Sequence, residues 1–224
     1  MDRFIDTFFK PSVIASTWPE ILDGMLITVE LALVVVATGL AVGLVLALLR
    51  TAELKLLNVA IVVFVDVLRA LPPLVMVLII YFGLPNVGLT LSSFAVLWLV
   101  LSAVLAAFAE EIFWAGILSV RRGQWDAARS TGLTFLDTLA FVVLPQTFRM
   151  VLPPLVNRTI AITKNTALGT VIGVPELLNQ ATTAVSFLSN ATPLTLAAIG
   201  YLIIFVPVVL LGSWLEQRFA FRRA

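Results

Sequence analysis

Gly123-Gln124-Trp125-Asp126-Ala127-Ala128-Arg129-Ser130-Thr131-Gly132, continuing through Leu133 to Val143-Leu144-Pro145-Gln146, is a polar, small-residue island in a very apolar chain. Gln124 to Thr131 suits a short helix, with Ala127 and Ala128 as strong formers. Asp126 is expected near its start, where a carboxylate suits the positive helix end. Gly132 fits the C′ position, where glycine takes a left-handed backbone cheaply. Thr134 reads as a fresh N-cap, with Asp137 three residues on in place of the usual Glu. The pattern predicts two short helices meeting at a glycine corner. Ala127 and Ala128 are expected to leave a smooth face on which another backbone can approach.

Outside the island the chain reads as membrane. Of its 224 residues 61% are hydrophobic and 12% charged, and the mean hydropathy is +1.10. Soluble domains carry about a quarter charged residues, so this chain has too little polar surface to cover itself in water. Several apolar runs reach the ~20 residues that cross a bilayer. They are continuous rather than alternating, which argues against a β-barrel. The expected class is an all-α membrane protein. Cysteine and histidine are absent, which removes thiol chemistry, His-ligated metals and a histidine base. A net charge of +1 gives no bulk attraction for nucleic acid. Residues 1–20 hold Asp2, Arg3, Asp6, Lys10 and Glu20 without a clean apolar core, so no cleavable signal peptide is expected.

Five spans are readable, at about 25–49, 58–84 with a break at Pro72-Pro73, 93–118, an irregular one within 139–172, and 194–215 with Pro207 inside. Eight of the fourteen Lys and Arg residues fall on one set of loop ends: Arg50, Lys55, Arg121, Arg122, Arg129, Arg218, Arg222 and Arg223. Segments 85–92 and 173–193 have none. The positive-inside rule then puts the N-terminus outside and the C-terminus in the cytoplasm. Residues 1–23 form an outer interfacial segment, 24–218 the membrane domain with a cytoplasmic loop at 119–138, and 219–224 a cytoplasmic basic tail.

Ionisable residues inside spans need partners or a wet cavity. Glu30 lies about one turn from the outer edge, within reach of headgroups. Asp66 and Arg69 are three apart and share a helix face. Glu110 and Glu111 point about 100° apart on one helix, so one partner does not satisfy both. Lys164 follows Asn157 by seven residues and shares its face; Thr166 and Thr170 are i and i+4. Lys164 either holds a solute α-carboxylate or neutralises Glu110, Glu111 or Asp66. Gly39 and Gly43 allow close helix contact in the first span. No phosphate-binding Gly-x-x-x-x-Gly-Lys loop is present, so any ATP is bound by another chain. On residues alone, an ion- or proton-coupled carrier, a small channel and a scaffold all stay open.

An ordered series of motifs narrows this. Arg69-Ala70-Leu71-Pro72-Pro73-Leu74-Val75 and Tyr81-Phe82-Gly83-Leu84-Pro85 precede Gly116-Ile117-Leu118-Ser119-Val120 and Arg122-Gly123-Gln124. Then come Asp126-Ala127-Ala128, Gly132, Leu144-Pro145-Gln146, Leu152-Pro153-Pro154-Leu155-Val156-Asn157, Lys164-Asn165-Thr166-Ala167-Leu168 and Glu176-Leu177. Over residues 24–218 the chain resembles the permease subunits of bacterial ATP-binding-cassette importers, polar amino-acid group, with a type I importer fold. The family's Glu before the alanine pair is Asp126 here. An Arg common after the Glu-Ile of span three is Trp114, and an aromatic hydroxyl frequent at position 108 is Phe108.

The resemblance implies five transmembrane helices in the bacterial inner membrane and a cytoplasmic coupling hairpin made by Gly123, Gln124, Asp126, Ala127, Ala128, Gly132 and Leu133. It implies a dimer with a second copy or a similar permease, a cytoplasmic ATP-binding-cassette ATPase dimer, and an extracytoplasmic solute-binding protein. No cofactor is expected on this chain, with ATP-Mg on the ATPase and no nucleic-acid partner. Arg69, Glu111, Asn157, Lys164 and Thr166 are the candidates for the substrate path.

Overall fold

The computed structural model describes residues 1–219, and every regular element among them is helical. In chain order they are α1 (Asp2–Phe8), α2 (Pro11–Arg50), α3 (Lys55–Ala70), α4 (Pro73–Gly83), a 3₁₀ turn (Leu84–Val87) and α5 (Ser93–Ser119). There follow α6 (Arg122–Ser130), α7 (Phe135–Thr138), a π turn (Leu139–Val143), α8 (Leu144–Thr163), a 3₁₀ helix (Lys164–Ile172), α9 (Leu177–Leu188) and α10 (Thr192–Phe219). Four stretches are long and apolar enough to cross a membrane; the bent pair α3 and α4 makes a fifth when taken as one span. The five expected spans therefore all have counterparts. The end of the basic tail, residues 220–224, lies outside the described residues.

Two boundaries differ from expectation. The helix that holds the first span begins at Pro11, so residues 11–23 continue it and only α1 stands apart from it. Proline suits a first helical turn, where its missing N–H has no partner to lose. One buried stripe runs the length of α2: Val13, Thr17, Ile21, Gly24, Thr28, Leu31, Val35, Gly39, Gly43 and Ala47. Steps of three and four mark a single helix face. The second difference is α9, which occupies most of the segment read as the 173–193 loop.

The chain forms two compact units. The first comprises Met1–Ala37, Leu71–Ser102 and Ile160–Val209. Its core includes Ile21, Leu177, Ala181, Leu196 and Ala197. Glu176 is fully buried there and caps α9. Its carboxylate accepts hydrogen bonds from the amides of Leu178 and Asn179 (3.0 and 2.8 Å), the Thr170 hydroxyl (2.6 Å) and the Tyr201 hydroxyl (2.8 Å). The next amide, Leu177, donates to the Thr28 hydroxyl of α2 at 3.1 Å.

The second unit comprises Thr38–Ala70, Ala103–Thr159 and the described residues from Leu210 onward. Ala47, Ala109, Phe113, Ile117, Leu139, Val143, Val151 and Leu155 form its main core. Here α2 and α5 touch through glycine: a Cβ on Gly43 would lie 2.6 Å from the Ala109 Cβ and 2.8 Å from the Ala106 carbonyl oxygen. Small residues let helix backbones approach in a membrane. Gly43→Val should therefore lower stability by about 1–3 kcal/mol or more through overpacking. Thermal unfolding of the purified protein checks it; an unchanged midpoint would mean the contact relaxes freely.

The irregular fourth span has a local cause. Pro145 supplies no N–H and its ring crowds the carbonyl of Phe141. The π turn at Leu139–Val143 lets carbonyls there reach past the missing donor. The Gln146 side chain then donates its amide to the Val142 carbonyl at 2.7 Å. The Leu-Pro-Gln sequence thus makes a break and repairs it with its own side chain.

Candidate functional site

The hairpin is built in the second unit from α6, the Gly132 corner and α7. Helix α6 ends at Ser130, where Thr131 and Gly132 donate their amides to the carbonyls of Ala128 (3.3 Å) and Arg129 (3.0 Å). Gly132 has φ +96°, a conformation that L side chains rarely adopt. Thr134 caps α7 in a reciprocal box with Asp137: the Asp137 amide donates to the Thr134 hydroxyl at 3.2 Å, and the Thr134 amide donates to the Asp137 carboxylate at 3.3 Å.

Two expectations are corrected. The helix starts at Arg122, two residues early, so Asp126 sits beyond its first turn and gains little from the helix end. Arg121 precedes it with extended ψ (136°) and no side-chain cap bond, which left no sequence signal for the start. Ala127 and Ala128 do not share one outer face. Ala128 is buried against the chain itself, while Ala127 is exposed. The exposed stripe is instead Gly123, Asp126, Ala127 and Ser130, spaced three and four apart, with Gln124 exposed beside it.

The hairpin is held stiffly. Trp125 stacks on Phe135 across the corner, ring centroids 5.5 Å apart. Trp125 also packs on the core that contains Phe113, Ile117 and Val143. A cleft of about 350 Å³ separates Trp114, Ile117 and Leu118 of α5 from Trp125 and Phe135, with Glu53 and Arg122 among its walls. Gln124 borders a second hollow with Arg121, Gln146 and Arg149. Gly132 and Thr134 are exposed and Leu133 is half-buried at the corner.

Intramembrane charges pair in the same unit. Glu110 is fully buried and binds Arg50 at 2.9 Å; Arg50 also lies over the Trp114 ring, 4.5 Å from its centroid. Glu111 binds Arg69 at 2.7 Å, while Asp66 lies 4.0 Å from the same guanidinium. So the adjacent glutamates use two arginines, as their divergence requires, and the i, i+3 pair is secondary. Arg50, read as a loop cation, turns inward at the end of α2. Asn157 is exposed on α8. Arg158, which the sequence reading did not single out, sits 3.7 Å from the Phe108 ring centroid, and Arg69 is 5.3 Å from the same ring. An arginine in a span four turns into α8 was the available signal.

In the first unit Lys164 is exposed and makes no ion pair among the described residues. Glu110 and Glu111, two of the carboxylates that Lys164 was expected to neutralise, are paired with arginines of their own unit. Lys164 is the first residue after α8, so the chain from Asn157 to Thr163 is α-helical and the 3₁₀ winding begins beyond that seven-residue spacing. Thr166 is buried with its hydroxyl donating to the Thr163 carbonyl at 3.0 Å, and Thr170 turns to Glu176. Among the described residues no group of three or more acidic side chains is placed to hold a metal ion.

Residues 39–221 match the family described as binding-protein-dependent transport system inner membrane component. The chain is 36% identical over 159 residues to the probable glutamine ABC transporter permease protein GlnP of Bacillus subtilis, covering 71% of this chain and 73% of that one. It is 32% identical over 210 residues to the glutamine transport system permease protein GlnP of Escherichia coli, covering 91% and 96%. A solved amino acid ABC transporter with histidines superposes with TM-score 0.83 at 30% identity, over 92% of this chain and 96% of that one.

Proposed function

The chain belongs to the binding-protein-dependent transport system inner membrane components, and from that premise we propose that it passes amino acids, polar ones in particular, inward across the bacterial inner membrane, driven by a separate cytoplasmic ATPase seated on the α6–Gly132–α7 hairpin. The stiffness of that hairpin carries the reading. A capping box, a left-handed glycine and a Trp125–Phe135 stack fix two short helices as one body. A fixed body transmits displacement; a floppy loop absorbs it. The exposed stripe of Gly123, Asp126, Ala127 and Ser130 offers small side chains to an approaching groove.

The remaining parts follow from the same reading. Loop cations set the hairpin and the C-terminus in the cytoplasm and the N-terminus outside. ATP-Mg sits on the ATPase dimer, and catalysis belongs there. A second permease, identical or similar, completes the path, and an extracytoplasmic binding protein delivers the solute. Relatives that include glutamine and L-cystine permeases support a polar amino acid as cargo.

Gly132→Pro and Ala127→Trp test the docking face. Proline's fixed φ near −65° is incompatible with +96° at Gly132, and the indole fills the exposed stripe without touching the core. Both should insert normally yet cut ATP-driven uptake into proteoliposomes by about tenfold or more, a loss of about 1.4 kcal/mol or greater in coupling. Normal uptake in both variants would remove the hairpin from the coupling path.

A further inference from the structure

Two arginines at the root of the hairpin are without a carboxylate partner. Arg121 joins α5 to α6, and Arg149 lies in the second turn of α8. Neither has an acidic side chain within 4.0 Å among the described residues. Both line a hollow of about 450 Å³, together with Ser119, Gln124, Gln146 and Met150, and no carboxylate lines it. Gln146 gives one amide N–H to the Val142 carbonyl and has a second to donate. Arg121 is the N-cap of α6, which sets the positive end of that helix at the hollow. Two like charges across one gap repel until an anion sits between them.

Depth selects the anion. Helix α5 has 27 residues and ends at Ser119, so at 1.5 Å per residue it is about 40 Å long. That matches the hydrocarbon core plus headgroup layers, about 40–45 Å. Ser119 and the hollow therefore fall at headgroup level. The large apolar side chains next to the lining residues in sequence, Leu118 and Phe148, are exposed, as side chains against lipid are.

We propose that the Arg121–Arg149 hollow binds the phosphate of an anionic phospholipid of the cytoplasmic leaflet, and that this lipid clamps the two roots of the hairpin and raises its coupling to ATP hydrolysis. This rests on the orientation and the coupling role proposed above. A guanidinium presents paired N–H donors that match phosphate oxygens. The negative surface of the inner leaflet concentrates such lipids beside basic residues. A phosphate between Arg121 and Arg149 ties the α5–α6 joint to the first turns of α8, one root on each side of the hairpin. The two roots already touch, with the Ser119 hydroxyl 3.3 Å from the Met150 sulfur. The bound anion removes the repulsion that opposes this contact.

The test uses the whole transporter, permease pair with ATPase, in nanodiscs of phosphatidylcholine alone or of phosphatidylcholine and phosphatidylglycerol in equal parts. Native mass spectrometry counts the lipid retained. ATP-driven uptake into vesicles of the same two compositions, with the binding protein present, reads coupling. Wild type should keep phosphatidylglycerol in preference to phosphatidylcholine and transport faster in its presence. Arg121→Gln with Arg149→Gln should weaken that retention by about tenfold or more and transport at the phosphatidylcholine rate in both mixtures; lysine at both positions should recover much of the loss. Arg122→Gln with Arg129→Gln removes as much charge from outside the hollow and should keep the lipid. An equal loss in that control would reduce the effect to surface charge and overturn the site. Recovery of uptake in phosphatidylcholine on adding inorganic phosphate would assign the hollow to a soluble anion and overturn the lipid. Retention of phosphatidylglycerol only after the ATPase is stripped away would do the same, giving the hollow to an ATPase carboxylate. Retained lipid with no change in uptake would overturn the clamp. A wild type that imports no amino acid in either mixture would sink the proposed function, with lipid retention still judging the site.

Discussion

Arg50→Met should destabilise the protein by about 3–5 kcal/mol, because it strands a buried carboxylate. Glu110 is 0% exposed and Arg50 is its ion-pair partner at 2.9 Å. The second oxygen, Oε2, is buried without a hydrogen-bond donor among the described residues, so nothing else stands ready to take the charge. The loss should come with a second effect. Arg50 also covers Trp114, which forms one wall of the cleft facing Trp125 and Phe135. Removing it should loosen the hairpin from α5, read as faster proteolysis within 119–138. The double change Arg50→Met with Glu110→Leu should recover most of the stability, since an apolar pair of similar volume removes both desolvation costs. Thermal unfolding of the three proteins decides the matter: a single variant as stable as wild type would show that water reaches Glu110.

The same pair shows where reading the sequence reaches its limit. The hairpin is legible because its signals are local: Gly132, Thr134 and Asp137 act within a few residues of one another. The partners of Glu110 and Glu111 are not local. Helical geometry says that they diverge, but which cations meet them depends on how α2, α3 and α5 pack. By charge Lys164 is a candidate partner and by position Arg50 is a loop cation, yet Arg50 is the cation that meets Glu110. The departures at Trp114 and Phe108 have structural counterparts of the same kind. Each aromatic ring is covered by an arginine brought from another helix, Arg50 over Trp114 and Arg158 over Phe108. The start of α6 escaped for a different reason, since Arg121 begins it through backbone conformation alone. Helix α9 escaped because its polar residues resemble a loop until Leu177 and Ala181 are seen on one buried face.

Glu176→Gln should cost about 1–3 kcal/mol although it changes one atom, and Glu176→Ala should cost more. The reason lies in donor and acceptor inventory. Four donors converge on this carboxylate: two main-chain amides at the start of α9 and the hydroxyls of Thr170 and Tyr201. An ionised carboxylate only accepts, so it matches them all. Glutamine turns an NH₂ toward donors and leaves some unmet; alanine leaves all four unmet in a site that is 0% exposed. The damage should localise. The amides of Leu178 and Asn179 head α9, and the Leu177 amide is tied to Thr28 of α2. Hydrogen exchange across 177–188 should therefore rise in both variants before α5 or the hairpin responds. Tyr201→Phe removes one donor and leaves three, so it should be milder than either. That ranking, alanine worst and Tyr201→Phe mildest, separates a hydrogen-bond hub from simple packing, which would make glutamine harmless because its volume hardly differs. Equal exchange in wild type and Glu176→Gln would show that α9 is held by its apolar face, with Glu176 an incidental cap.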